Sequence, residues 1–275
     1  MSTIISSGDR SQLNFREISA YSGLLKYLSL RDVFVRYKQT KMGFAWSIIR
    51  PAINILIFGT LSYLVNPTSD FAGRFLTVSA GVVFWQLFST ATTEVSNSLT
   101  ANANILTKVY FPKIILPLSS LLVSLIDFAI AFVLFLVILT AFTGLPPWQM
   151  LFLPIVLFYT LLFAFGLGLA AATASVRFRD VKFILPFLIQ ILFYASPVFI
   201  SSDFVLSKNL PSWLAAVYQL NPLVFMLNSF KWCMFGNFEE LNSLYAGISF
   251  IISLAIVLFA LRYFNRFERS FADYI

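Results

Sequence analysis

The sequence predicts an all-α integral membrane protein that crosses the bilayer six times. Three observations predict it. Of 275 residues 59% are hydrophobic and only 11% charged, with 32 phenylalanines and a mean hydropathy of +0.84, against about 45–50% and about 25% for a soluble domain. Apolar stretches near the ~20 residues that span a bilayer occur at 48–65, 75–93, 114–141, 151–176, 183–200 and 244–264. Lysine and arginine alternate with them: sixteen fall in 1–50, in the second and fourth connections (Lys108, Lys113; Arg177, Arg179, Lys182) and at the C-terminal end, against Arg74, Lys208 and Lys231. Basic residues stay in the cytoplasm, so six spans with both termini inside are expected. The net charge of +7 then reflects this bias rather than nucleic-acid binding.

The whole chain reads as one transmembrane domain, 1–275. Residues 1–47 form a cytoplasmic tail and interfacial helix, 48–200 the first five spans, and 201–243 an extracytoplasmic loop. Residues 244–264 form the sixth span and 265–275 a cytoplasmic tail. The N-terminal MSTIISSGDR lacks the apolar core of a signal peptide, so the first span is expected to drive insertion. Ser29-Leu30-Arg31-Asp32 has the Ser-x-x-Asp spacing of a helix start. Leu30, Val33, Phe34 and Tyr37 follow at i, i+3, i+4 and i+7, one helical face, with Arg31, Arg36, Lys38 and Lys41 on the remainder. Such a basic amphipathic helix suits an interface with anionic lipid, turning through 41–46 into the first span.

The first two outer connections, 66–70 and 143–147, are short and read as tight turns. The third holds two apolar segments too short to span, 211–220 and 222–235, each begun by a proline (Pro211, Pro222), as suits a first helical turn, and separated by Asn221. Both are expected to re-enter the membrane at its outer face, with Trp213 on the first. In the fourth span Gly166, Ala170 and Ala174 recur at i+4, the pattern of closely approaching helices, read here as internal packing. Pro186 and Pro197 are expected to bend the fifth span, which carries Gln190 and Tyr194. Asp127 is the one acid deep in a span, and a structural hydrogen bond to a neighbouring helix is its expected role.

Several chemistries are missing. There is no histidine and one cysteine, Cys233, so no disulfide or cysteine-built metal site is expected. No GxxxxGK[ST] phosphate loop occurs, nor HExxH or GxSxG, and the acids are scattered. Neither catalytic nor metal-binding residues are expected, which leaves a conduit needing an energy source. Two connections on the predicted cytoplasmic side mix aromatic and basic side chains, as a docking site for a soluble partner would: the segment 101–113, and the elbow 176–182.

Five motifs in order extend this reading. RYKQTKMGFAWSIIRP at 36–51, NILTKVYFPKIILP at 104–117, RFRDV at 177–181, SPV at 196–198 and RFERSFADYI at 266–275 resemble the permease subunit of type-2 ABC exporters. The branch most similar is the one that exports O-antigen, teichoic acid and capsular polysaccharide. The resemblance implies a permease homodimer in the bacterial cytoplasmic (inner) membrane, with a separate ATPase subunit on each copy. ATP and magnesium would belong to that partner, leaving no cofactor in this chain. The substrate would be a lipid-linked polysaccharide. The ATPase would couple through Asn102, Asn104, Lys108, Tyr110 and Phe111, with Arg177, Arg179 and Asp180 nearby. Arg31, Arg36 and Lys38 would attract the anionic lipid at its entry. Pro211, Trp213, Asn221 and Pro222 would belong to outer gate helices. Tyr63, Trp85, Phe88, Phe193 and Tyr194 are the aromatic candidates for lining the path, since ring faces bind a sliding polymer through many weak contacts. A permease for drugs or simple lipids shares the fold. An ion-coupled secondary transporter would need buried acid or histidine pairs, which Asp127 alone does not supply.

Overall fold

The computed structural model describes residues 19–38, 45–65, 70–198, 211–236, 243–268 and 271. Residues 41–44 of the expected turn 41–46, the segments 66–69, 199–210 and 237–242, and most of both termini lie outside them. Every regular element among the described residues is helical. They are α1 (Ser22–Lys38), α2 (Ala45–Val65), α3 (Phe71–Ala101), α4 (Ala103–Lys108), α5 (Ile115–Thr143), α6 (Leu153–Arg177), α7 (Val181–Tyr194), α8 (Ser212–Leu220), α9 (Pro222–Phe235) and α10 (Ser243–Phe267).

Five helices, α2, α3, α5, α6 and α10, are long and apolar enough to cross a membrane. The expected fifth span differs. Its helix α7 has 14 residues, about 21 Å at 1.5 Å per residue, and ends in a turn at Ala195–Val198. Pro197 explains the stop, because proline has no N–H to continue the ladder.

The bundle is built around α3, whose 31 residues extend about 46 Å, well past a ~30 Å hydrocarbon core. Asp70 caps its start by accepting the Gly73 N–H at 2.8 Å, and α2, α5, α6, α7 and α9 all pack on it. Phe84, Phe88, Phe135 and Phe230 are fully buried in one core cluster. A second cluster, toward the end of the bundle that carries α4, joins Leu28, Leu106, Phe111, Ile115, Phe264 and Phe271.

The small-residue stripe of the fourth span does pack internally. A Cβ on Gly166 would stand 2.8 Å from a Val257 methyl on α10, and one on Gly168 would stand 2.8 Å from the Thr92 carbonyl on α3. A backbone carbonyl cannot swing aside as a side-chain tip can. Gly168→Val is therefore expected to cost about 1–3 kcal/mol by overpacking, read as a lower thermal midpoint of the detergent-purified protein. An unchanged midpoint would mean that α3 and α6 are not held this close.

The N-terminal helix differs from its sequence reading at its start. It begins at Ser22, so Ser29 is no cap. It lies mid-helix, where its hydroxyl donates to the Leu25 carbonyl at 2.9 Å and reaches Ser119 of α5 at 3.5 Å. The apolar stripe faces away from the bundle, as suits a helix whose apolar side meets lipid. Leu30 and Phe34 are 54% and 66% exposed, whereas Leu28 and Ser29 are buried against it. Lipid is the natural solvent for the exposed stripe, and the side turned inward is the one carrying Arg36.

Candidate functional site

Arg36 reaches off α1 between two spans. Its Nη2 donates to Glu94 Oε1 of α3 at 2.6 Å, and its Nη1 donates to Asp127 Oδ2 of α5. Two acids 33 positions apart in sequence thus share one guanidinium, whose planar fork suits two carboxylates. Arg31 makes a parallel set of contacts nearer α4. Its Nη2 donates to Asn102 Oδ1 at 2.8 Å and its Nε to Asp32 Oδ1 at 2.8 Å. Both arginines expected to greet lipid are therefore engaged by protein groups, while Lys38 is exposed.

Two polar cavities flank this junction and share Arg36 and Glu94 in their walls. One, of about 450 Å³, runs down to Asn102 and Asn104. The other, of about 590 Å³, is bounded by Trp46 and Arg50 on the first turns of α2 and by Gln86, Thr90 and Thr93 on α3, with Asp127 opposite. This places Asp127 level with the start of α2. That helix has 21 residues, about 31 Å, so its first turns mark one face of the hydrocarbon core. Asp127 therefore shares a cavity with the first turns of α2, and its expected bond to a neighbouring helix is the one to Arg36 of α1.

The expected coupling residues fall into two groups. Tyr110 is 73% exposed and Val109 56%, while the neighbouring Phe111 is 5% exposed in the second core cluster. Lys113 ties this loop to the end of α10: its backbone N–H donates to Glu268 Oε1 at 3.1 Å and its Nζ to the Glu268 carbonyl at 2.5 Å. The Phe271 ring is 5.4 Å from the Lys113 ammonium and 1% exposed. The elbow residues Arg177, Arg179 and Asp180 are exposed between α6 and α7, with the Arg177 guanidinium 5.3 Å from the Phe178 ring.

At the opposite end, α8 and α9 form a hairpin of unequal character. Trp213 on α8 is 66% exposed and Pro211 is exposed, whereas α9 is buried along most of its length, from Pro222 to Met234. Asn221 joins them. Its Oδ1 accepts the Leu223 N–H at 3.1 Å, capping α9, and its Nδ2 donates to the Ala195 carbonyl at 3.2 Å. Lys231, 6% exposed, donates from Nζ to the Pro197 carbonyl at 2.6 Å. Breaking α7 leaves its last carbonyls without helical partners, and non-helical backbone at membrane depth persists only where protein satisfies it. The α8–α9 hairpin supplies those donors. Gly81 of α3 lets the turn sit close, since a Cβ there would be 2.8 Å from the Val198 oxygen.

The path candidates are dispersed. Tyr194 is 73% exposed. Tyr63 is half-buried with its ring edge-on to Phe71 at 5.1 Å. Phe193 is half-buried and sits 5.1 Å from the Trp85 ring. Trp85 is 9% exposed, and Phe88 has no exposed surface and stacks on Phe163. Exposed apolar faces run along α2 (Ile53, Leu56, Ile57, Leu61, Leu64) and α7 (Phe183, Phe187, Ile191). These two helices touch through Phe58 and Phe193. Among the described residues no three of His, Cys, Asp and Glu come together as a metal site would require.

Sequence reading passed over Glu94, Lys231 and the Lys113–Glu268 tie. Lys231 was counted simply as an outer-side charge. The only signal for Glu94 was an acid in a segment that otherwise carries a single charge, Arg74.

Comparison with known proteins places these features in a family. A family model described as ABC-2 type transporter matches residues 24–235. The O-antigen export system permease protein RfbA of Myxococcus xanthus is 29% identical over 216 residues, covering 78% of this chain and 82% of that protein. A protein of the same name from Klebsiella pneumoniae is 28% identical over 251 residues, covering 91% and 94%.

Proposed function

The chain belongs to the ABC-2 type transporter family, and from that membership we propose that it is the transmembrane subunit of an ABC exporter for O-antigen polysaccharide. The observation that carries the substrate class is the similarity over nearly the full length to permeases named for O-antigen export. The chain is a multi-pass membrane component and hydrolyses no ATP itself. A separate ATPase supplies the energy, docking at the end of the bundle that bears α4, the cytoplasmic end by its lysines and arginines.

Two copies enclose the path in the cytoplasmic membrane. The exposed apolar faces of α2 and α7 are the surfaces available for that pairing, with Tyr63, Phe193 and Tyr194 at its margin. The α8–α9 hairpin forms the outer gate through Pro211, Trp213, Asn221 and Pro222. The exposed Tyr110 meets the ATPase, Asn102 passes its displacement to Arg31 of α1, and the elbow Arg177–Asp180 lies beside this contact. Lys38, exposed at the end of α1, is the cation best placed to meet an anionic lipid carrier.

The test is ATP hydrolysis by the permease purified with its cognate ATPase, with and without lipid-linked polysaccharide. Stimulation by the glycolipid is expected; stimulation only by drugs or simple lipids would move the protein to that branch. Tyr110 and Phe111 are separable in the same assay. Tyr110→Ala is expected to abolish stimulation while the thermal midpoint holds, because its ring packs on little of this chain. Phe111→Ala is expected to cost about 3–5 kcal/mol of stability, as for an enclosed phenylalanine. Equal thermal losses in the two variants would place Tyr110 in the core and remove it from the docking face.

A further inference from the structure

We infer that the 590 Å³ cavity between α2 and α3 is a saccharide-binding site, reading sugar hydroxyls through Gln86, Thr90 and Thr93 beside the Trp46–Arg50 pair. The inference rests on the export reading above and names where that substrate's sugars are recognised.

Three observations carry it. On α3 the hydroxyls of Thr77, Ser79, Ser89, Thr92, Ser98 and Thr100 all donate to the carbonyl three or four residues back. Thr90 and Thr93, which line the cavity, make no such bond among the described residues, and neither does Ser96, which is buried away from it. Gln86 stands on the same stripe, at i, i+4 and i+7, and its Oε1 is buried without a hydrogen-bond partner. Gln86 thus keeps one buried acceptor unmet, which is uncommon, and Thr90 and Thr93, half-buried beside it, present hydroxyls to the cavity.

The second observation is the opposite wall. Arg50 lies 5.9 Å from the Trp46 ring centroid, and both side chains are exposed. An aromatic face accepts the C–H face of a sugar ring while a guanidinium donates to its edge. The third is charge. Glu94 and Asp127 share Arg36 at the rim, so two carboxylates balance Arg36 and Arg50. A bare anion would face the two acids. An apolar ligand would leave the Gln86–Thr93 stripe unpaired, which is costly away from water. An uncharged polyol satisfies every wall, and the volume suits one or two sugar rings.

The experiment compares wild type with Thr90→Val/Thr93→Val, which removes both hydroxyls at nearly constant volume. Each is purified with its ATPase in lipid nanodiscs. ATP hydrolysis is titrated with lipid-linked polysaccharide and, separately, with the carrier lipid phosphate bearing no sugar. The glycolipid concentration for half-stimulation is expected to rise about tenfold, with the maximal rate and the carrier response unchanged. Thr90→Ser/Thr93→Ser is expected to restore it. An unchanged half-point, or an equal shift in both titrations, overturns the site. If wild type itself shows no glycolipid stimulation, the export reading falls, and saturation-transfer NMR with free glucose, galactose and N-acetylglucosamine decides the site. Ring-proton signals abolished by the valine pair sustain it, and their absence in wild type overturns it.

Discussion

Arg36→Met is expected to destabilise the permease more than the triple variant Arg36→Met/Glu94→Gln/Asp127→Asn. The single change removes the guanidinium that the two carboxylates of α3 and α5 share. Orphaning a charged group in a hydrogen-bonded pair costs several kcal/mol when the site is dry. The side chains of Arg36, Glu94 and Asp127 are 33%, 37% and 19% exposed, so solvent screens part of this and about 1–2 kcal/mol is the expected loss. The triple variant removes the charges together, and most of that loss should return. Thermal unfolding of the three purified proteins checks it. If single and triple variants melt alike, the ion pairs contribute nothing beyond packing. Because α1 also carries the Arg31–Asn102 bond, Arg36→Met should weaken glycolipid-stimulated hydrolysis as well, by loosening the helix that links α4 to the spans.

The second large effect is expected at the other end of the bundle. Lys231→Met keeps the length of the side chain but takes its donor from the buried Pro197 carbonyl. An acceptor so orphaned costs about 1–3 kcal/mol, and the break after α7 has few other ways to satisfy its backbone. Lower thermal stability and loss of surface polysaccharide are expected together, with Lys231→Arg retaining more of both. Asn221→Ala should act in the same direction and more weakly, since its bond to Ala195 is longer and exposed to solvent, whereas that of Lys231 is buried. Export and stability both unchanged in Lys231→Met would show that the α8–α9 hairpin and the α7 turn move independently.

How far these contacts were legible in the sequence varies with their range. The small-residue stripe of α6 was readable because helix periodicity alone puts Gly166 and its neighbours on one face. The prolines at 211 and 222 announced two short helices because proline suits a helix start, Pro211 capping α8 and Pro222 lying in the first turn of α9. The Ser29 cap was misread for a local reason: Ser-x-x-Asp has the same spacing whether it starts a helix or lies within one, and only the Ser119 backbone shows which. That Arg31 and Arg36 bond to protein groups was not legible, because an amphipathic pattern defines two sides and does not say which neighbour each side meets. Asp127 could not be paired from sequence, since its cation arrives from a helix 91 positions away.

The sequence by itself determined that this is an all-helical membrane protein. It also determined which segments are apolar enough to be buried or to face lipid, and that the chain has no phosphate loop of its own. Those properties follow from composition and period, which need no partner. Only the tertiary structure decided that α7 stops short and hangs on Asn221 and Lys231, and that Phe88 is enclosed while Tyr194 is open. It alone decided that Glu94, Asp127 and Arg36 form one junction, with a polar stripe on α3 lining a cavity beside it. Each of these depends on which surfaces meet across the bundle, and hydrogen-bond partners tens of residues apart leave no mark on local periodicity.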